Sequence, residues 1–572
     1  MTVERLKNRI LAARGGIPSD LVLTGGQVVN VFTGTLTKTD VALFDGVVVG
    51  LGTYTGPSLD VQGKIIAPGL IDGHIHLEST MLTPQEFARA VVPRGTTAVV
   101  ADPHEIANVM GTRGLDYMLT ANQGLPLDIF LMIPSCVPAS HLETAGAGLG
   151  LKEMAAYCHD HRVLGLAEMM NFPGVINGVP DVLEKLDFFA NGLVDGHAPL
   201  LSGPKLNAYR LAGPASDHEC SSLPEAQEKL ALGFHLMLRE GSQAKNLQDL
   251  LPAVTPATMR RTMLVTDDCH PDDLLKTGHM DHLLRKATAG GLDAITAITM
   301  ASLNTAEYFR LRQRGAIAPG YLADLIILDD LKEFKVNQVF KNGRRVAQHG
   351  QLLEGLLPPP AALPSSPLQV RDLALESFQL AAQDSRVKVI GLIPGQLLTT
   401  RKMLPTPVRE GQVVADTSQD LLKLAVIERH RGTGNVGLGL VQGFGLQKGA
   451  LASSVAHDSH NIIVVGANDA DMLKAAAHLV ALGGGLAVVA DGQVKADLPL
   501  PVAGLMSPEP LEAVAARHGQ VQAASRSLGG VLQDPFMALA FLALPVIPEL
   551  KLTDLGLVDV NRFQIVSLFG ED

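Results

Sequence analysis

Several absences bound this sequence before any motif does. Cysteine is scarce: Cys136, Cys158, Cys220 and Cys269 lie far apart, with no CxxC pair. A disulfide-stapled secreted scaffold is thereby excluded, and a reduced, cytoplasmic setting is expected. No apolar run reaches the roughly 18 residues a membrane helix needs. The nearest candidate, Phe536 to Leu544, is short and stops at Pro545. Positive charge is not in excess. The formal net charge is −12, which argues against nucleic acid or an anionic membrane surface as a main partner. The opening MTVERLKNRILAARGG has neither an apolar core nor a small-residue cleavage site, so it does not read as a signal peptide. No Walker A loop and no clean GxGxxG occur in the Gly-rich run near 432–449, which is expected to be turns and close backbone packing. The PCxxC of the small zinc deaminases is missing too.

What is present is ordinary globular material. Of 572 residues, 47% are apolar and 18% charged, too much chain for one core. Residues 4–14 read as a surface helix. Short β runs separated by GG, TG and DG turns follow. From about 65 to 310, apolar runs of four to six residues alternate with helical patterns, the texture of a parallel sheet. A (β/α)₈ TIM-like barrel is expected over 65–311. Short β runs resume after it and carry an NG turn. A split β-sandwich module, 1–64 with 312–356, is predicted to form from both flanks. A Pro/Ser-rich linker, 357–368, leads to a further α/β domain over 369–572.

The chemistry gathers at the ends of the apolar runs, where a barrel places its active site. In LIDGHIH, His74 and His76 are two apart and so share one face of a strand. Glu168 ends VLGLAE, His197 ends GLVDGH, His218 and Glu219 follow ASD, and Asp267 and Asp268 follow MLVT. Taken singly each has a bland explanation, such as an N-cap for Asp267 and Asp268 or a helix-terminal charge for Glu168. Five such ends in order are the inventory of a two-metal site. His457 and His460 lie far downstream with no third ligand candidate nearby, and structural packing is expected there.

The order HxH, Glu, His, His, Asp, flanked by a split β module, resembles the amidohydrolase superfamily. PGLIDGHIHLESTMLTP, GTTAVVADPHEIANVMG, LAEMMNFPGV, DGHAP, TDDCHPDDL and GNVGLGLVQGFGLQKGALASSVAHDSHNI together resemble its bacterial adenine deaminases, over nearly the whole chain. That resemblance implies hydrolytic deamination of adenine to hypoxanthine and ammonia by hydroxide at a binuclear centre. It implies His74, His76 and Asp267 at one metal, His197 and His218 at the second, and Glu168 bridging. Manganese is expected, with iron or zinc compatible with the same donors. Asp267, with Asp268 as its competitor, would carry the proton. His104 and Glu105 are candidates for base contact or proton delivery, and Glu78, Ser79, Glu219 and Asp268 for the pocket wall. A homo-oligomer, taken as a dimer, is expected on the common habit of soluble enzymes. The alternatives are a different purine or pyrimidine amine, a cyclic amide, or a barrel scaffold without catalysis.

Overall fold

The computed structural model describes residues 2–242, 244–364, 368–371, 373–393 and 395–570. Part of the expected linker, 365–367, lies outside the described residues. The alternating texture resolves into eight parallel strands: β1 (Leu70–Ile75), β2 (Thr96–Ala101), β3 (Asp128–Ile133), β4 (Val163–Met169), β5 (Leu193–Gly196), β6 (Ser216–Asp217), β7 (His235–Arg239) and β8 (Thr262–Val265). β1 to β5 form one ladder in sequence order, and β6 to β8 a second. Two seams join them. The Ala215 N–H donates to the Val194 carbonyl at 2.9 Å, and the Asp267 N–H donates to the His74 carbonyl at 2.9 Å. The sheet therefore closes on itself as the expected (β/α)₈ barrel.

Strand alternation sorts the core. Ala98 and Val100 of β2 and Phe130 and Met132 of β3 fill the barrel interior with Met237, Met263, Val265 and Phe309. Their neighbours Val99, Ala101, Ile129 and Leu131 face the outer layer. Burial of both faces explains why these strands read as unbroken apolar runs. Just before His197, a Cβ on Gly196 would lie 2.2 Å from the Ser216 carbonyl oxygen. Glycine there lets β5 and β6 approach.

Ile65–Pro68, expected to open the barrel, belongs elsewhere. It pairs antiparallel with Leu325–Leu328 and parallel with Gln27–Asn30. The barrel strand begins only after Gly69, so one apolar run serves two sheets. The seven-stranded sheet that holds Ile65–Pro68 takes strands from both sides of the barrel in sequence. A four-stranded sheet packs on it through Leu23, Val41 and Leu43 against Ile66, Leu325 and Ile327. The NG turn is a hairpin, with Asn342 and Gly343 both at positive φ (49° and 75°).

Beyond residue 380 an eight-stranded mixed sheet carries the helix Asp469–Leu482 on one face. This domain docks on segments that follow the C-terminal ends of β1, β3 and β8. The Ser507 N–H donates to the Met81 carbonyl at 2.8 Å. Thr144 Oγ1 donates to Asp554 at 2.6 Å. His270 lies 3.0 Å from Asp534, and His518 lies 3.2 Å from Asp272. The barrel mouth is therefore roofed. Among the described residues, no helix is long and apolar enough to cross a membrane.

Phe309 fills the barrel interior at 1% exposure. Phe309→Ala is expected to cost about 3–5 kcal/mol, read as a fall in the thermal unfolding midpoint.

Candidate metal centre and active site

His74 in β1 and His76 just past its end share one face, as their spacing demands. Their rings stand 4.9 Å apart, edge to face, and both are buried. Opposite them Glu168 ends β4. Its Oε1 lies 3.9 Å from His74 Nε2 and 3.3 Å from His76 Nε2. Its Oε2 lies 2.7 Å from His197 Nδ1 and 3.2 Å from His218 Nε2. One carboxylate thus turns each oxygen to a different pair of imidazoles. Asp267, in the left-handed region at φ 61°, faces the first pair, with Oδ1 3.7 Å from His74 Nε2 and 3.1 Å from His76 Nε2. Asp268 does not compete for that place. It accepts from Ser79 Oγ at 2.5 Å.

The surrounding groups set orientation and charge. His76 Nδ1 faces the Asp102 carbonyl at 3.1 Å, which leaves Nε2 for the centre. His74 Nε2 is buried and has no hydrogen-bond partner. Arg239, at the end of β7, bridges two acids: Nη1 lies 2.6 Å from Asp267 Oδ2 and 2.5 Å from Glu219 Oε1. Burial pushes the Asp267 carboxyl up, but the Arg239 charge and His76 outweigh it and hold it well below its usual range. Glu219 also sits 3.3 Å from His218 Nε2.

The wall beyond the centre begins at the short helix α1 (His104–Met110), which follows β2. His104 Nδ1 lies 3.0 Å from Asp102 Oδ2, and its Nε2 lies 3.4 Å from Glu105 Oε1. Both residues open the helix and are nevertheless buried. Glu78 Oε1 accepts from the Ile106 N–H at 3.0 Å. Its Oε2 has no partner, and burial pushes its carboxyl up to about 7. Across the mouth, His457 Nδ1 lies 2.7 Å from Glu105 Oε1, and His460 Nε2 contacts Glu105 Oε2. Asp458 between them is buried with Oδ2 unpartnered. The expectation that His457 and His460 merely pack is corrected. Their third partner comes from the barrel, where no local spacing could show it.

Two family models match the chain: the amidohydrolase family over residues 65–346 and the adenine deaminase C-terminal domain over 396–564. The chain is 52% identical over 563 residues to an adenine deaminase of Desulfatibacillum aliphaticivorans, covering 98% of this chain and 99% of that protein. It is 50% identical over 565 residues to adenine deaminase 2 of Carboxydothermus hydrogenoformans, with the same coverage.

The chain belongs to the adenine deaminase family.

Among solved structures, the β-aspartyl dipeptidase of Fervidobacterium islandicum AW-1 superposes on 58% of this chain and 98% of its own, with 17% identity and a TM-score of 0.45.

The structure brings His74, His76, Glu168, His197, His218, Asp267 and Glu219 into one cluster, with His104 and Glu105 beside it. Ser79 and Asp268 pair with each other. Sequence reading missed Arg239, Asp102 and Asp458. Arg239 could have been found, because it ends the apolar run HLMLR as the other site residues end theirs. A cavity of about 400 Å³ lined by Val370, Arg371, Glu428 and Asn435 shares no residue with the cluster. Glu428 there is taken up by the N–H groups of His430, Arg431 and Thr433.

Arg239→Leu leaves two buried carboxylates without their cation. It is expected to lower stability by about 3–5 kcal/mol, seen as a drop in thermal midpoint that Arg239→Lys recovers only in part.

Proposed function

We infer that this protein hydrolyses adenine to hypoxanthine and ammonia. The observation that carries this reading is the full-length match to adenine deaminases by a chain whose strand ends converge on Glu168. In this reading His74, His76 and Asp267 hold one divalent cation, His197 and His218 a second, and Glu168 is shared. The fit is supported by the opposed faces of Glu168 and by the unpartnered, buried His74 Nε2. Nitrogen and oxygen donors without thiolate suit manganese, with iron or zinc as substitutes. When bound, such cations polarise water so that it attacks at neutral pH.

The chain's own groups do the rest. Asp267 takes the proton from the attacking water and returns it to the departing amine. Its Oδ2 is pinned by Arg239, so Oδ1 is the working atom. Attack at C6 breaks the ring's aromaticity and puts charge on a ring nitrogen. His104, backed by Asp102, gives a proton or hydrogen bond there. Glu105 accepts from a purine N–H. Glu78, Ser79, Glu219 and Asp268 complete the wall. We place the enzyme in the cytoplasm, in keeping with its four unpaired thiols, and take it as a homodimer on the common habit of soluble enzymes.

A competing reading keeps the barrel and changes the substrate to another ring amine or a cyclic amide. A panel of such compounds, scored by ammonia release from manganese-loaded protein, separates the two. Adenine should be the best substrate, and no turnover of adenine would end the proposal. Asp267→Asn is expected to lower kcat by about 10²–10⁴-fold while circular dichroism stays unchanged. Asp268→Asn should lose far less, and the reverse order would assign the proton to Asp268. His74→Ala should lower bound metal per chain, measured by elemental analysis.

A further inference from the structure

The turn carrying His457 and His460 joins strands Ala450–Ser453 and Ile462–Gly466 of the C-terminal sheet. It is locked from several sides. His460 Nδ1 accepts from the Ala456 N–H at 3.1 Å. In a neutral ring that leaves the proton on Nε2, the atom that meets Glu105. His460 also sits in the left-handed region, at φ 55°, a conformation that surrounding structure must impose. Arg429, buried to 1% exposure, donates Nε to the His460 carbonyl and Nη2 to the Ala503 carbonyl at 3.0 Å. Asn461 Nδ2 donates to the Thr144 carbonyl of the barrel at 2.8 Å. The His457 ring stacks on Phe541 with centroids 4.5 Å apart.

Both imidazoles spend one nitrogen on the same carboxylate, one per oxygen. Each contact runs from one imidazole nitrogen to its own carboxylate oxygen, the pattern of a hydrogen-bonded clamp. A clamped carboxylate has lost its rotational freedom; Oε1 also faces His104 Nε2 at 3.4 Å, and Oε2 keeps a second acceptor direction. Such preorganisation is what a site needs to grip a planar base in one pose. Asp458, between the two histidines, adds a free carboxylate oxygen on the same buried turn.

We propose that His457 and His460 are positioning residues of the C-terminal domain that hold Glu105 as a fixed acceptor for a purine ring N–H. The barrel alone is then an incomplete active site. This deepens the adenine reading and rests on it. The relation also explains why a roof domain travels with the barrel: it sets the geometry of a residue 355 positions away in sequence.

The test compares two replacements at each histidine in the full-length, manganese-loaded protein. His460→Gln and His457→Asn keep an N–H near the contacting nitrogen, whereas His460→Leu and His457→Leu do not. His460→Leu is expected to lower kcat/KM for adenine about ten- to hundredfold, mostly through KM. His460→Gln should recover most of that loss, and bound metal per chain should stay at the wild-type value. Adding His460→Leu to Glu105→Gln should cost little more than Glu105→Gln alone. Equal losses for Gln and Leu, additive losses with Glu105→Gln, or a drop in metal content would overturn the clamp. A double-mutant cycle on the thermal midpoint between Glu105 and His460 reads the clamp without any substrate, and zero coupling there would also overturn it. Wild-type turnover of adenine separately checks the substrate reading, so the two failures are distinguishable.

Discussion

Glu168 is buried to 3% exposure at the end of β4, and five imidazole nitrogens stand within 4 Å of its two oxygens. A lone ionised carboxylate in such a place would be costly, so its partners must be delivered accurately. Those partners come from β1, α1, and the ends of β5 and β6. They meet only because the sheet closes. The seam between β8 and β1 brings Asp267 next to His74 through a backbone hydrogen bond of 2.9 Å. Barrel closure and site assembly are thus one event.

The charge inventory around that carboxylate explains the outer ring of residues. Asp267 and Glu219 would repel each other without Arg239, which bonds both. Asp102 steadies His104 through its side chain and His76 through its carbonyl. Asp72 accepts from Thr266 Oγ1 at 2.5 Å and thereby ties β1 to the segment that carries Asp267. Each of these groups fixes the direction of a residue nearer the centre, which is how a polar site stays rigid in a low-dielectric interior.

The C-terminal domain belongs to the same economy. A barrel mouth is by itself open to water, and its wall residues need outside support. Docking at Met81, Thr144, Asp272 and His270 closes that mouth. The largest buried apolar cluster runs without a break from Leu77 and Leu82 of the barrel to Leu505 and Met506. Apolar burial of that kind gives the interface its strength, and the polar contacts give it its register.

The sequence by itself determined the barrel, the split β module and most of the inner donors. Those features are local: strand alternation puts His74 and His76 on one face, and an ionisable residue after an apolar run marks a strand end. Tertiary structure decided the rest. It separated Asp267 from Asp268, because only the β8–β1 seam says which of two adjacent carboxylates reaches the histidines. It turned the two oxygens of Glu168 to different histidine pairs and gave Arg239 its two acids. It also moved His457 and His460 from packing to a buried contact with Glu105 of the barrel. Their partner Glu105 lies 355 residues from His460, and a contact that depends on how two domains dock leaves no periodicity or spacing for a sequence to carry.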